Sequence, residues 1–266
     1  MTDKVTISTL GRMKAEGEKI AVVTAYDASF ARLCEAAGAE VILVGDSLGM
    51  VVQGHDSTLP VSVDEMVYHT AMVRRGCRRP FIVADMPFMS HGTPSQALDS
   101  AGRLMKEGGA QMVKIEGGEP QAETVRHLTR RAVPVCAHLG LLPQSIHQLG
   151  GYKVQGREPH LAESILKDAC LLEEAGAQML VLECVPELLA REITATVSIP
   201  VIGIGAGPGC DGQVLVLHDI LGITPGTPPR FSRDFMAGAG SIEGAIRAYV
   251  DAVHREEFPT REQSFQ

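Results

Sequence analysis

Short apolar runs recur along the chain, each closed by a polar or glycine break and followed by an amphipathic stretch. They are IAVVT (20–24), EVILVG (40–45), PFIVADM (80–86), QMVKIEG (111–117), VPVCAH (133–138), QMLVLEC (178–184), IPVIGIG (199–205) and QVLVLHD (213–219). Each is aliphatic or β-branched with little alternation, as in strands covered on both faces. Most gaps between them accommodate a crossover helix; the spacing before the last run is tight. Ser62 with Glu65 forms a capping-box pattern ahead of MVYHTAMVRR, and Thr93, Pro94 and Gln96 supply a cap, a first-turn proline and a second box. Ala-Gly at 37–38 and 175–176 closes helices, and Asp27 caps ASFARLCEAA. The phrases AAGAEVILV (36–44), EGGAQMVKI (107–115) and EAGAQMLVL (174–182) repeat a βα unit.

Eight strands alternating with helices predict an α/β fold, a (β/α)₈ TIM barrel, with an open doubly wound sheet as the alternative. No composition break marks a linker, so residues 1–266 read as one domain. Its polar tail from about residue 256 reads as loosely held or docked on a neighbour. Two βα connections are unusually long, 46–61 and 139–158. On a barrel both lie over the C-terminal mouth, where long loops carry function.

Composition narrows the class. The 266 residues are 45% hydrophobic and 21% charged, which excludes wholesale disorder. The 24 Lys and Arg against 32 Asp and Glu give a net charge of −8, which argues against a nucleic-acid surface. No apolar run is long enough to span a bilayer, and the N-terminal stretch lacks the apolar core of a signal peptide, so the expectation is a cytoplasmic protein. The six cysteines are scattered without a C-x-x-C pair and read as buried free thiols rather than a zinc site.

Polar residues terminate several of the runs: Asp46, Asp85, Glu116, His138 and Glu183. In a barrel these ends share one mouth. Carboxylates gathered there repel one another unless a cation neutralises them. Asp46, Asp85 and Glu116 are therefore either an oxygen-donor set for Mg²⁺ or helix caps and ion-pair partners. Lys114 shares the strand face of Glu116. It can bind an anion, form a Schiff base, or pair with Glu116, and an adjacent carboxylate disfavours the Schiff base. Glu183 lies in the apolar context MLVLECVPELL, where desolvation raises a carboxyl toward the range of a general base, or where it pairs with a neighbouring cation. His138 reads as a substrate contact or as a core histidine. GIGAGPG (203–209) has Pro208 where a dinucleotide fingerprint needs its third glycine. It reads as an anion or flat-ligand approach or as a tight turn.

Longer blocks carry a resemblance: VTAYDASFA (23–31), LVGDSLGMVVQGHDSTLPV (43–61), ADMPFMS (84–90), MVKIEGG (112–118), VPVCAHLGLLPQS (133–145), GGYKVQGR (150–157), LVLECVP (180–186) and IPVIGIGAGPGCDGQVLVLHD (199–219). From about residue 5 to 250 the chain resembles the ketopantoate hydroxymethyltransferase family. The resemblance implies a barrel of the phosphoenolpyruvate/pyruvate type, usually a homodecamer of two five-membered rings. It implies Mg²⁺, with 5,10-methylenetetrahydrofolate as one-carbon co-substrate and 3-methyl-2-oxobutanoate as the ketoacid, in the first step of pantothenate biosynthesis. It implies metal ligands at Asp46, Asp85 and Glu116, ketoacid contacts at Asp46, Ser47, Asp85 and Lys114, a general base at Glu183, and His138 near the substrate. The chain departs from the family around His91-Gly92 and in the QSF ending. A folate-independent C–C lyase of the isocitrate type is a competing reading, and both long loops lack the cysteine that reading needs. So is a ketoacid-binding protein without turnover, which would lack the base.

Overall fold

The computed structural model describes residues 4–224 and 226–266; the first three residues of the N-terminal stretch lie outside it. Eight parallel strands close into a barrel in sequential order, β1 to β8: Ile20–Thr24, Val41–Val44, Phe81–Asp85, Met112–Glu116, Val135–Gly140, Met179–Glu183, Val201–Ile204 and Gly212–Leu215. Among the described residues the α-helices in chain order are α1 (Ile7–Glu16), α2 (Ala28–Ala37), α3 (Leu48–Val51), α4 (Val63–Gly76), α5 (Pro94–Lys106), α6 (Ala122–Thr129), α7 (Ile146–Leu149), α8 (Pro159–Glu174), α9 (Glu187–Thr196), α10 (Leu217–Ile220) and α11 (Ile242–His254). Every predicted strand is present. No helix among the described residues is long and apolar enough to cross a membrane.

Strand parity divides the core in two. Outward side chains such as Val23, Ile42, Ile82, Val113, Leu180 and Val201 pack beneath the helices. Inward ones such as Val22, Val41, Phe81, Met112, Met179 and Ile202 fill the barrel. This two-sided burial explains the unbroken apolar runs. Helix α1 was not foreseen: it places Leu10 and Met13 among the inward residues at the N-terminal end of the barrel. It is fastened by Lys14, whose ammonium donates to Asp211 at 2.7 Å and to the Thr194 carbonyl at 2.9 Å.

The caps follow the chemistry of their residues. Ser62 and Glu65 exchange reciprocal bonds at the start of α4, and the Asp27 carboxylate accepts from Ser29 and Phe30. Thr93 accepts from the Gln96 N–H, but the Gln96 amide donates to the Met89 carbonyl, so the second box is only half formed. Gly38, with φ 101°, ends α2. Three sequence expectations need correction. Strand β5 continues past His138 to Gly140, and β8 stops at Leu215, because Leu217–Ile220 turns into α10. As the tight spacing before the last run implies, no helix separates β7 from β8 among the described residues. GIGAGPG is a tight turn whose Gly205 (φ 62°) packs on Phe231 and Phe265, while a side chain at Gly207 would strike Glu187. The tail is docked on its own barrel: Phe258 and Ser264 are buried, and the Glu187 N–H donates to the Phe265 carbonyl at 3.0 Å.

Tyr249 of α11 is fully buried, meets Phe235 and Phe258 edge-on, and bonds the carbonyls of Val22 and Gln213. Tyr249→Ala should lower the unfolding free energy by about 3–5 kcal/mol in denaturant titrations. His254 donates to Glu40, which raises the histidine above its ordinary value against the opposing effect of burial. A raised folded-state value means that this stabilisation is full below the unfolded histidine's range and is lost as pH rises through the folded value. The melting-temperature gap between wild type and His254→Gln should therefore be open in mild acid and close in alkali.

Candidate active site

The C-terminal mouth holds a cavity of about 450 Å³. Asp46, Asp85, Lys114, Glu116, His138 and Glu183 all line it, as does Ser47. They arrive on five consecutive strands, β2 to β6, or just beyond them. The register sets Asp85 opposite Lys114 and Glu116 opposite His138, so acid faces base across neighbouring strands. The two long connections close over them. The first contributes Met50 and Val51 of α3 together with Thr58; the second contributes Leu141, Pro143 and Tyr152. The Tyr152 hydroxyl reaches the Met50 sulfur at 3.5 Å, joining the two loops.

The charges form one network. Lys114 Nζ lies 3.2 Å from Asp85 Oδ1, 3.7 Å from Glu116 Oε1 and 3.1 Å from His138 Nδ1. Burial works to discharge the lysine, but Asp85, Glu116 and Asp46 outweigh it and hold the ammonium well above its ordinary value. Carboxylates that hold the ammonium charged disfavour the Schiff-base reading, and the approach of Lys114 Nζ to Glu116 Oε1 at 3.7 Å bears out the internal ion pair. Burial, together with repulsion from Asp85 and Glu116, pushes Asp46 well up. Burial also raises Asp85, although Lys114 and the Asp46 N–H, which donates to Asp85 Oδ2 at 3.0 Å, pull the other way. For Glu116 burial is overcome by His138, Lys114 and the Gln144 N–H, and the carboxyl ends below its ordinary value. His138 is raised: burial and Lys114 oppose its protonation, and Glu116 and Glu183 prevail.

His138 Nε2 lies 3.3 Å from Glu183 Oε2, off a good hydrogen-bond line. Glu183 is more open than its apolar sequence context implies, with a side chain 14% exposed at the cavity wall. Its backbone is fixed by the Leu141 N–H, which donates to the Glu183 carbonyl at 2.8 Å. The neighbouring Gly140, at φ 92°, has no room for a side chain, because a Cβ there would sit 2.2 Å from that same carbonyl oxygen.

Asp46, Asp85 and Glu116 thus meet at one site, but as an ion network threaded by Lys114. Among the described residues no three acidic, histidine or cysteine side chains already form a metal cage. The donor set nonetheless fits a hard divalent cation. It is all oxygen and repulsive, and Asp85 Oδ1 and Glu116 Oε1, though ion-paired with Lys114, are buried without a well-formed hydrogen bond.

Two contributors escaped the sequence reading. Gln144, buried, donates its side-chain amide to Asp46 Oδ2 at 2.8 Å and to the Met86 carbonyl at 2.9 Å, while its backbone N–H donates to Glu116 Oε2 at 3.0 Å. A glutamine inside a polar loop carries no signal of this. Tyr26 bonds the Ser47 hydroxyl at 2.9 Å and so orients it; its position at the end of β1 was the available clue. The cysteines are as expected: five are buried and Cys170 is half-buried, and all are free. Cys184 lines the cavity, and burial raises its thiol well above the reactive range.

Known proteins resemble this chain. A family model described as ketopantoate hydroxymethyltransferase matches residues 4–261. A 3-methyl-2-oxobutanoate hydroxymethyltransferase of Nitrosococcus oceani is 62% identical over 98% of this chain and 99% of its own. One from Erwinia tasmaniensis is 58% identical over 98% of each. Among solved structures, 2,3-dimethylmalate lyase, a PEP mutase/isocitrate lyase superfamily member, superposes with a TM-score of 0.58 at 18% identity over 79% of this chain and 80% of that one. Phosphonopyruvate hydrolase in complex with oxalate and Mg²⁺ gives 0.61 at 14% identity over 97% and 92%. These last two share the barrel, whereas the family match and the curated relatives span nearly the whole chain: the protein is a transferase of the ketopantoate hydroxymethyltransferase family.

Proposed function

We propose that the protein transfers a hydroxymethyl group from 5,10-methylenetetrahydrofolate to 3-methyl-2-oxobutanoate, giving 2-dehydropantoate and tetrahydrofolate, the first step of pantothenate biosynthesis. The carrying observation is the convergence of Asp46, Asp85, Lys114, Glu116, His138 and Glu183 on one cavity in a chain of this family. The chemical obstacle is the weak acidity of the ketoacid's C3–H. Asp46, Asp85 and Glu116 would hold Mg²⁺, which when bound supplies Lewis acidity toward the oxygens of the ketoacid.

The remaining work falls to the chain. The Lys114 ammonium, kept charged by its neighbours, and the Ser47 hydroxyl, held by Tyr26, bind the substrate carboxylate and fix the face presented. Glu183 takes the C3 proton, and His138 at 3.3 Å steadies its carboxylate. Water hydrolyses the donor's methylene unit, both C–N bonds breaking and the two protons of water passing to the folate N5 and N10. The C3 carbanion, conjugated as an enolate, attacks the carbon so released at the formaldehyde level, and the new alkoxide takes the proton that Glu183 removed. Water supplies the hydroxyl oxygen, and the loops that roof the cavity limit its access. Gln144 holds Asp46 and Glu116 at their places. The same reading takes in the homo-oligomer that the family likeness implies. The isocitrate-type lyase reading finds no support in a chain whose two long loops lack cysteine and whose cavity cysteine, Cys184, is buried.

Glu183→Gln should cut deuterium exchange at C3 of the ketoacid by about 10²–10⁴-fold while Mg²⁺-dependent ketoacid binding, measured by calorimetry, stays nearly intact; undiminished exchange removes Glu183 as the base. Asp46→Asn and Asp85→Asn should each raise the Mg²⁺ concentration for half-maximal rate by roughly ten-fold or more, and full wild-type activity in excess chelator would reject the metal.

A further inference from the structure

The mouth is two-sided. Strands β2 to β6 carry the charged groups, and the remaining arc of the closed barrel, β7, β8 and β1, is different in kind. There the cavity wall is Ile204, Val214, Val216, Thr24 and Phe231, with one charged side chain, Asp219 of α10. Asp219 is only 6% exposed. Among the described residues its carboxylate takes a single hydrogen bond, from the Thr224 hydroxyl to Oδ1. A carboxylate accepts several, and the Asp219 side chain, one oxygen held by Thr224, lines the cavity with its other oxygen open to the donors of a ligand. The cavity is also sized for more than a small ketoacid, since volumes of roughly 300–1,000 Å³ suit ligands of drug size.

We infer that this arc seats the bicyclic head of the one-carbon donor, with Asp219 as its polar anchor. The inference rests on the proposed reaction and adds the subsite that reaction needs. A 2-amino-4-oxopyrimidine ring presents two adjacent N–H donors, N3–H and the exocyclic amine, and a carboxylate receives such a pair side by side. The aliphatic wall and the Phe231 ring take the flat faces, which accounts for a pterin site in a chain without tryptophan. Thr224 turns the Asp219 carboxylate and holds it. Tyr26 links this arc to the acidic one, with its ring 5.7 Å from that of His218, the residue before Asp219, and its hydroxyl on Ser47.

Calorimetry on the Mg²⁺-loaded protein tests this with tetrahydrofolate and with its analogue lacking the 2-amino group. Wild type should bind the analogue about ten-fold or more weakly than tetrahydrofolate. Asp219→Asn should weaken tetrahydrofolate by a similar factor, bind the two ligands nearly alike, and keep the affinity for 3-methyl-2-oxobutanoate within about two-fold. A merely structural Asp219 would instead weaken both folates equally, which overturns the inference, as does wild type failing to distinguish them. The wild-type comparison needs no variant and stands even if Asp219→Asn fails to fold. Loss of this discrimination with C3 exchange intact leaves the Glu183 chemistry standing, whereas wild type binding no tetrahydrofolate at all overturns the donor and this subsite together.

Discussion

One buried ammonium organises the site. Lys114 sits inside a barrel whose other inward positions are mostly aliphatic, and it is tolerated there because acidic side chains surround it. At the Asp85 separation the attraction is on the order of 5 kcal/mol with an effective dielectric near 20, comparable to the several kcal/mol that burying such a charge costs. The balance is therefore close, and each participant is held in its ionisation state by the others. Asp46 is pushed well up by burial and by Asp85 and Glu116, with Gln144 as its only side-chain donor among the described residues.

The barrel was legible because parity and burial speak the same language. A run such as MVKIE is apolar at the positions that meet helices and polar where the strand opens into the mouth, so Lys114 and Glu116 declare themselves as inward. The same logic picked out Asp85, His138 and Glu183. It fails where the signal is not periodic. The end of β8 is misplaced because LHD, apolar enough to extend a strand, belongs to α10. Gln144 lies in a loop whose fold is set by contacts far along the chain, including its bonds to Asp46 and Glu116. The tail read as loosely held or docked on a neighbour because its polar composition hides the residues, Phe258, Pro259 and Ser264, that are buried.

The division of the mouth into an acidic arc and an apolar arc follows from the repeat itself. Each βα unit delivers one strand end, and neighbouring units therefore deliver neighbouring chemistry. Long connections after β2 and β5 lie over the acidic arc, and the short β7–β8 turn leaves the other arc to be covered from further along the chain, by Phe231 and its neighbours. Ionic and flat apolar ligands can thus be admitted side by side without either disturbing the solvation of the other.

Gly140 shows how far such a design restricts variation beyond the reacting groups. It touches no ligand in the proposed chemistry, yet the carbonyl of Glu183 occupies the space that any larger residue would claim, and its φ of 92° already excludes most of them. Saturation mutagenesis of this barrel would accordingly register an inert backbone position as intolerant as a reactive carboxylate. Intolerance alone does not distinguish a group that acts from one whose emptiness lets another stand where it does.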